Sequence, residues 1–125
     1  MNLVDSSAWL EYFAAAPGTA DFAPAIEDQS SLLVPTVVVC EVFRAVARQR
    51  SEDEALQAYA VMAQGQVVPL DAGMALDAAR LPLDLHLPMA DSLILATARA
   101  AAAILWTQDS HFQGLPDVRY LPKRV

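Results

Sequence analysis

Five short apolar runs, NLV, SLLVP, QVVPL, ILWT and VRYL, alternate with stretches of helical character, and this alternation constrains the fold more than any other feature of the chain. Strands that read as nearly continuous apolar runs belong in a parallel sheet covered by helices on both faces. The expected architecture is therefore α/β: a three-layer α/β/α domain with a central parallel sheet of about five strands. At 125 residues there is room for one substantial core and not for two, so residues 1–125 are expected to form one domain.

Local signals place the elements. Asn2–Asp5 reads as a buried strand ending in an acid, with Ser6 or Ser7 as the cap of the amphipathic run AWLEYFAA. Pro17 and Gly18 interrupt it, and TADFAPAIED suits a short helix with Pro24 near its start. Pro35 stops the second strand and Thr36 is expected to cap the helix VVVCEVFRAVARQR. Ser51 and Glu54 form a capping box, Asp71 caps the next helix, and Pro82 and Pro88 break the connection through LDLHL. MADSLILATARAAAA is rich in good helix formers, and SHFQGL reads as a turn. Cys40, the only cysteine, is expected to be a buried, inert thiol within VVVCEVF.

Composition narrows the function. A net charge of −7 argues against a broad basic surface that grips nucleic acid through many phosphates. No window reaches the apolar length of a membrane span, and MNLVDSSAW lacks a basic segment followed by a long apolar one, so a cytoplasmic protein is expected.

Four apolar neighbourhoods each deliver one acid: NLVD at Asp5, VVVCEVF at Glu41, PMADSLILA at Asp91 and ILWTQD at Asp109. Burying a carboxylate costs several kcal/mol unless positive charge neutralises it. Mg²⁺ is a fitting partner, since hard cations take carboxylate oxygens from separate elements. In doubly wound sheets the site lies beyond the strands' carboxyl ends, and all four acids fall near predicted strand ends or helix starts. Each also has a local use. Asp5, Asp91 and Asp109 can serve helix or turn starts, and Glu41 can pair with Arg44 or Arg48 along one helix face.

The segments VDSSAWLEYF, PTVVVCEVFRA, LPMADSLILATA and LWTQDSHF, in this order and spacing, resemble PIN-domain ribonucleases, specifically VapC-type toxins of bacterial toxin–antitoxin systems. The resemblance covers the full length. It implies that Asp5, Glu41, Asp91 and Asp109 hold Mg²⁺ or Mn²⁺, with Asp5 and Asp91 as principal ligands and Ser6 and Thr107 as supporting hydroxyls. It implies an endoribonuclease that leaves a 5′-phosphate and a 3′-hydroxyl, a cognate antitoxin as partner, and a homodimer with no membrane association. His111 is expected in a turn packed beneath the site, and Arg44 and Arg48 either meet phosphate or antitoxin or are solvated. Two other readings stand beside this one. A PIN-like module with a vestigial metal site would act through protein contacts alone. A phospho-acceptor module would need a strand-end lysine, and the only lysine is Lys123.

Overall fold

In the computed structural model, which describes residues 1–125, the strands are β1 (Asn2–Val4), β2 (Leu32–Pro35), β3 (Gln66–Val68), β4 (Ile104–Thr107) and β5 (Val118–Tyr120). All pair in parallel in the order β3-β2-β1-β4-β5. The connections are α1 (Ser6–Phe13), α2 (Thr19–Glu27), α3 (Thr36–Gln49), α4 (Glu52–Met62), α5 (Ala72–Ala79) and α6 (Met89–Ala100). The result is the three-layer α/β/α architecture expected from the alternation. The chain builds outward from β1 to β3, then returns to lay β4 and β5 on the other side of β1. The switch in strand order thus falls between β1 and β4, and each of these strands leads directly into a segment bearing an acid.

Burial explains the order. Leu3 and Val4 of β1 and Leu32, Leu33 and Val34 of β2 are buried, as is Leu105 of β4, whereas Gln66 and Val67 of β3 are exposed. The edge strands therefore depart from the continuous burial expected of them, and β3 and β5 span only 3 residues each. Short edges offer little template for pairing with another chain. Trp9, Phe22, Val38, Ile94, Leu95 and Phe112 fill the space between sheet and helices.

Several local expectations are corrected. The cap of α1 is Asp5 and neither serine: its Oδ1 accepts the Ala8 N–H at 3.2 Å. Thr36 is the first residue of α3 and Pro35 occupies the cap position; the Thr36 hydroxyl oxygen instead accepts the Leu70 N–H at 3.1 Å, tying α3 to the segment after β3. Pro24 lies inside α2, on its exposed side, where the lost helical hydrogen bond falls in a helix of only 9 residues. Cys40 is exposed. Helix α3 turns Val38, Val42 and Val46 inward at four-residue spacing, so a residue two places after Val38 comes round to the solvent side. The capping box holds at its first half, with the Glu54 N–H donating to Ser51 Oγ at 3.1 Å.

Phe112, fully buried, anchors the 3-10 turn Ser110–Phe112 that follows β4. Phe112→Ala should cost about 3–5 kcal/mol in urea denaturation. A loss below about 1 kcal/mol would show that this turn does not depend on its anchor.

Candidate metal centre

The carboxyl ends of β1 and β4 bring two acid-bearing segments side by side, because Val4 pairs with Trp106 and the Asp5 N–H then donates to the Trp106 carbonyl at 3.1 Å. Asp5 is buried, 2% exposed. Thr107 Oγ1 donates to its Oδ2 at 2.6 Å and Ser7 Oγ to its Oδ1 at 2.7 Å, with the α1 N-terminus supplying the third donor. Burial nevertheless dominates and pushes its pKa from 3.8 up to about 6, the three donors and the Asp109 charge acting as smaller influences.

Helix α6 contributes Asp91 from its first turn, and the segment after β4 contributes Asp109 and His111. One donor atom from each of the three lies within 4.8 Å of the others. His111 Nδ1 is 2.9 Å from Asp109 Oδ1 and 3.2 Å from Asp91 Oδ2. Burial, followed by the Asp109 charge, lifts the Asp91 pKa from 3.8 to about 7, while His111 pulls it back down. His111 is therefore at the cluster, half-exposed, rather than packed beneath it; the residue beneath is Phe112. Its Nδ1 stands between the two carboxylates, within 3.2 Å of an oxygen of each.

Glu41 comes from the second turn of α3. Its Oε1 is buried with no hydrogen-bond partner, so the pairing with Arg44 or Arg48 along the helix does not satisfy it. Burial raises its pKa, the Ser6 hydroxyl draws it down, and the Asp109 charge raises it further. Asp109 is thus the common neighbour: its charge is felt at Asp5, Glu41 and Asp91 alike.

Two serines divide the work that sequence reasoning assigned to one. Ser6 faces Glu41, and Ser7, read from the sequence only as a possible helix cap, holds Asp5 and accepts the Gln108 N–H at 3.2 Å. The first turn of a helix that follows a strand-end acid projects alternate residues toward different neighbours, a signal that a motif of two adjacent serines does not resolve.

The donor set tests whether a divalent cation fits. Buried carboxylates with raised pKa values, and a buried carboxylate oxygen lacking any donor, are groups that a hard cation satisfies and that the protein's own hydrogen bonds do not. Asp91 and Asp109 offer oxygens, and His111 a nitrogen, close enough to share one ion; Asp5 and Glu41 are not part of that trio, and the Asp109 charge reaches them from it.

Solved structures of similar fold include one from a toxin–antitoxin complex of Klebsiella pneumoniae. It aligns with a TM-score of 0.77 at 21% identity, over 95% of this chain and 96% of that one. A Sarcin-Ricin loop cleaving toxin of Mycobacterium tuberculosis aligns at 0.75 and 17% identity, over 95% of this chain and 99% of that one. A DNA-bound VapBC from Salmonella typhimurium aligns at 0.75 and 13% identity, over 98% of both chains. No curated protein matches the chain in sequence. The PIN domain family matches residues 3–118, a span that takes in every strand at least in part and all the acids of the cluster; with its parallel sheet and the acids gathered at one edge, the chain belongs to the PIN domain family.

Proposed function

We propose that this chain is a metal-dependent endoribonuclease toxin of the VapC type, acting in the cytoplasm on a structured RNA and held inactive by a cognate antitoxin. The observation that carries the reading is the cluster of Asp91, Asp109 and His111, with one donor atom of each within 4.8 Å of the others, and the reach of the Asp109 charge to Asp5 and Glu41 beside it. Support comes from the PIN family and from similarly folded toxins, one of which cleaves the Sarcin-Ricin loop.

Asp5 and Asp91 are the principal ligands for Mg²⁺ or Mn²⁺, with Glu41 and Asp109 completing the site directly or through water. A cation bound there supplies positive charge to the scissile phosphate and lowers the pKa of water. Thr107 and Ser7 keep the Asp5 carboxylate fixed in orientation, and the Ser6 hydroxyl favours the ionised form of Glu41. An acid of the cluster that is not engaged by the cation would orient the attacking water and accept its proton. Water attacks phosphorus as the P–O3′ bond breaks, and the proton taken up by that acid is passed to the departing O3′, leaving a 3′-hydroxyl on one fragment and a 5′-phosphate on the other.

The antitoxin reading is supported by a groove of about 630 Å³ beside α1, α3 and α4, with Leu10, Phe13, Val46 and Val61 among its lining. Homodimerisation is supported by a second, more apolar groove of about 620 Å³ next to Leu83 and Met89, which are 92% and 82% exposed. No helix is long and apolar enough to cross a membrane.

The test is incubation of the purified protein, free of partner, with total cellular RNA in Mg²⁺, Mn²⁺ or EDTA, followed by sequencing of the fragment ends. Discrete cuts with 5′-phosphate ends, lost in EDTA, are expected. A folded, cation-loaded protein that cuts nothing would favour a module that acts through protein contacts alone.

A further inference from the structure

Glu11 is a carboxylate that the acid cluster does not use, and its side chain is only 1% exposed. Its Oε2 accepts the Gly18 N–H at 2.7 Å and its Oε1 accepts from Gln108 Nε2 at 3.1 Å. The only formal positive charge near it, Lys123 Nζ, stands 3.9 Å from Oε1 on a largely exposed side chain. The turn between α1 and α2 is fitted to this carboxylate, since a Cβ at Gly18 would come within 2.8 Å of Oε2. Burying a charge in this way is costly unless each oxygen is met by a donor. Here the two donors come from separate parts of the chain.

The second donor carries the consequence. Gln108 lies between Thr107, which closes β4 and donates to Asp5, and Asp109, whose backbone is extended and whose charge reaches the other three acids. Consecutive side chains of extended backbone project to opposite sides, so holding Gln108 on one side presents Thr107 and Asp109 on the other. The same segment is pinned at its backbone, where the Gln108 N–H meets Ser7 Oγ and the Asp109 N–H donates to Thr107 Oγ1 at 2.9 Å. We infer that Glu11 is a positioning residue of the acid cluster, fixing Gln108 and through it the placement of Thr107 and Asp109 opposite Asp5 and Asp91. Its relevance to cation binding rests on the function proposed above; its control of the segment does not.

Glu11→Met tests this at similar side-chain length, because a thioether leaves both the Gly18 N–H and the Gln108 amide without their carboxylate acceptor. Gln108→Met, at a half-buried position, removes the donor instead and leaves the Glu11 carboxylate in place. In the double variant Glu11→Gln/Gln108→Glu the amide at position 11 donates to the carboxylate at position 108, and its carbonyl oxygen still accepts the Gly18 N–H. Two quantities are measured on the full chain: hydrogen exchange of the Asp109 amide without metal, and Mn²⁺ affinity from the paramagnetic resonance signal of free Mn²⁺. Each single variant should speed that exchange about tenfold and weaken Mn²⁺ about tenfold, and the double variant should return both to within about threefold of the parent.

Unchanged exchange in both single variants would overturn the inference, as would a double variant no better than the singles. If the parent binds no Mn²⁺ while the exchange pattern appears as expected, the positioning role stands and the cation reading falls. If the parent binds Mn²⁺ and the single variants bind it equally well, the positioning role falls and the cation reading stands.

Discussion

Asp91→Asn is expected to reduce RNA cleavage by at least about 10³-fold and, at the same time, to raise the melting temperature of the metal-free protein at pH about 8. Both effects have one cause. The Asp91 carboxylate sits among buried acids, and its pKa of about 7 means that the fold disfavours its ionised form. An amide at that position removes the repulsion from Asp109 and Asp5 but cannot supply the charge that a cation needs. Because the stress is shared with Asp109 and relieved by His111, the gain is on the order of 1–2 kcal/mol, or roughly 3–8 °C. It should shrink as pH falls and vanish only below the ordinary carboxyl value of 3.8, where the parent carboxyl is protonated in the folded and unfolded chain alike. Paired melts at pH about 8 and below 3.8, with circular dichroism to report the fold, separate this outcome from simple unfolding. Retained cleavage in Asp91→Asn would remove Asp91 from the mechanism.

The second large effect is a stability that falls as pH rises. Asp5 and Asp91 bind their protons more tightly in the folded chain than in the unfolded one, so their contribution is complete below the ordinary carboxyl value of 3.8. It is lost as pH climbs through about 6 for Asp5 and about 7 for Asp91. For Asp5 alone the loss is on the order of 3 kcal/mol. Metal-free protein should therefore melt at progressively lower temperature from pH about 5 to about 8, opposite to the trend of proteins whose carboxylates are ion-paired. Mn²⁺ should reverse the slope, because its ligands must be deprotonated and its affinity climbs through the same window. At a hundred times its Kd it returns about 2.7 kcal/mol. Thermal melts across this range, with and without Mn²⁺, test both halves, and flat profiles would show that the acids are not stressed as their burial implies.

The fold was legible because its signals are additive along the chain. The apolar runs around Leu3, Val34 and Leu105 are strands, and capping residues such as Ser51 and Asp71 start helices as their side-chain hydrogen bonds require. The misreadings occur where one residue serves two elements. Asp5 was read as a strand-end acid with a serine capping after it, yet the acid itself caps α1 and leaves Ser7 free to brace its carboxylate. Thr36 looked like a cap, but its hydroxyl serves the segment after β3. Cys40 looked buried because its neighbours in sequence are apolar, whereas helical rotation rather than adjacency decides what faces the core.

The four acids of the cluster were visible as acids in apolar surroundings. Glu11 was not, since one acid within AWLEYFAA is indistinguishable from a solvated helix position until Gly18 and Gln108 are seen to close on it. His111 was seen but placed beneath the cluster, because the tight turn that carries its ring up to Asp91 and Asp109 depends on the burial of Phe112 one residue later.

The central position of β1 also has a consequence for biosynthesis. Strand β1 is flanked by β2, which follows within a few tens of residues, and by β4, which begins only at Ile104. Asp5 and Glu41 likewise precede β3 in the order of synthesis, while Asp91 and Asp109 follow it. A nascent chain therefore carries half of these acids with one side of β1 unpaired until β4 has been made. A chain made in this order has no complete acid cluster until Asp109 has followed β4.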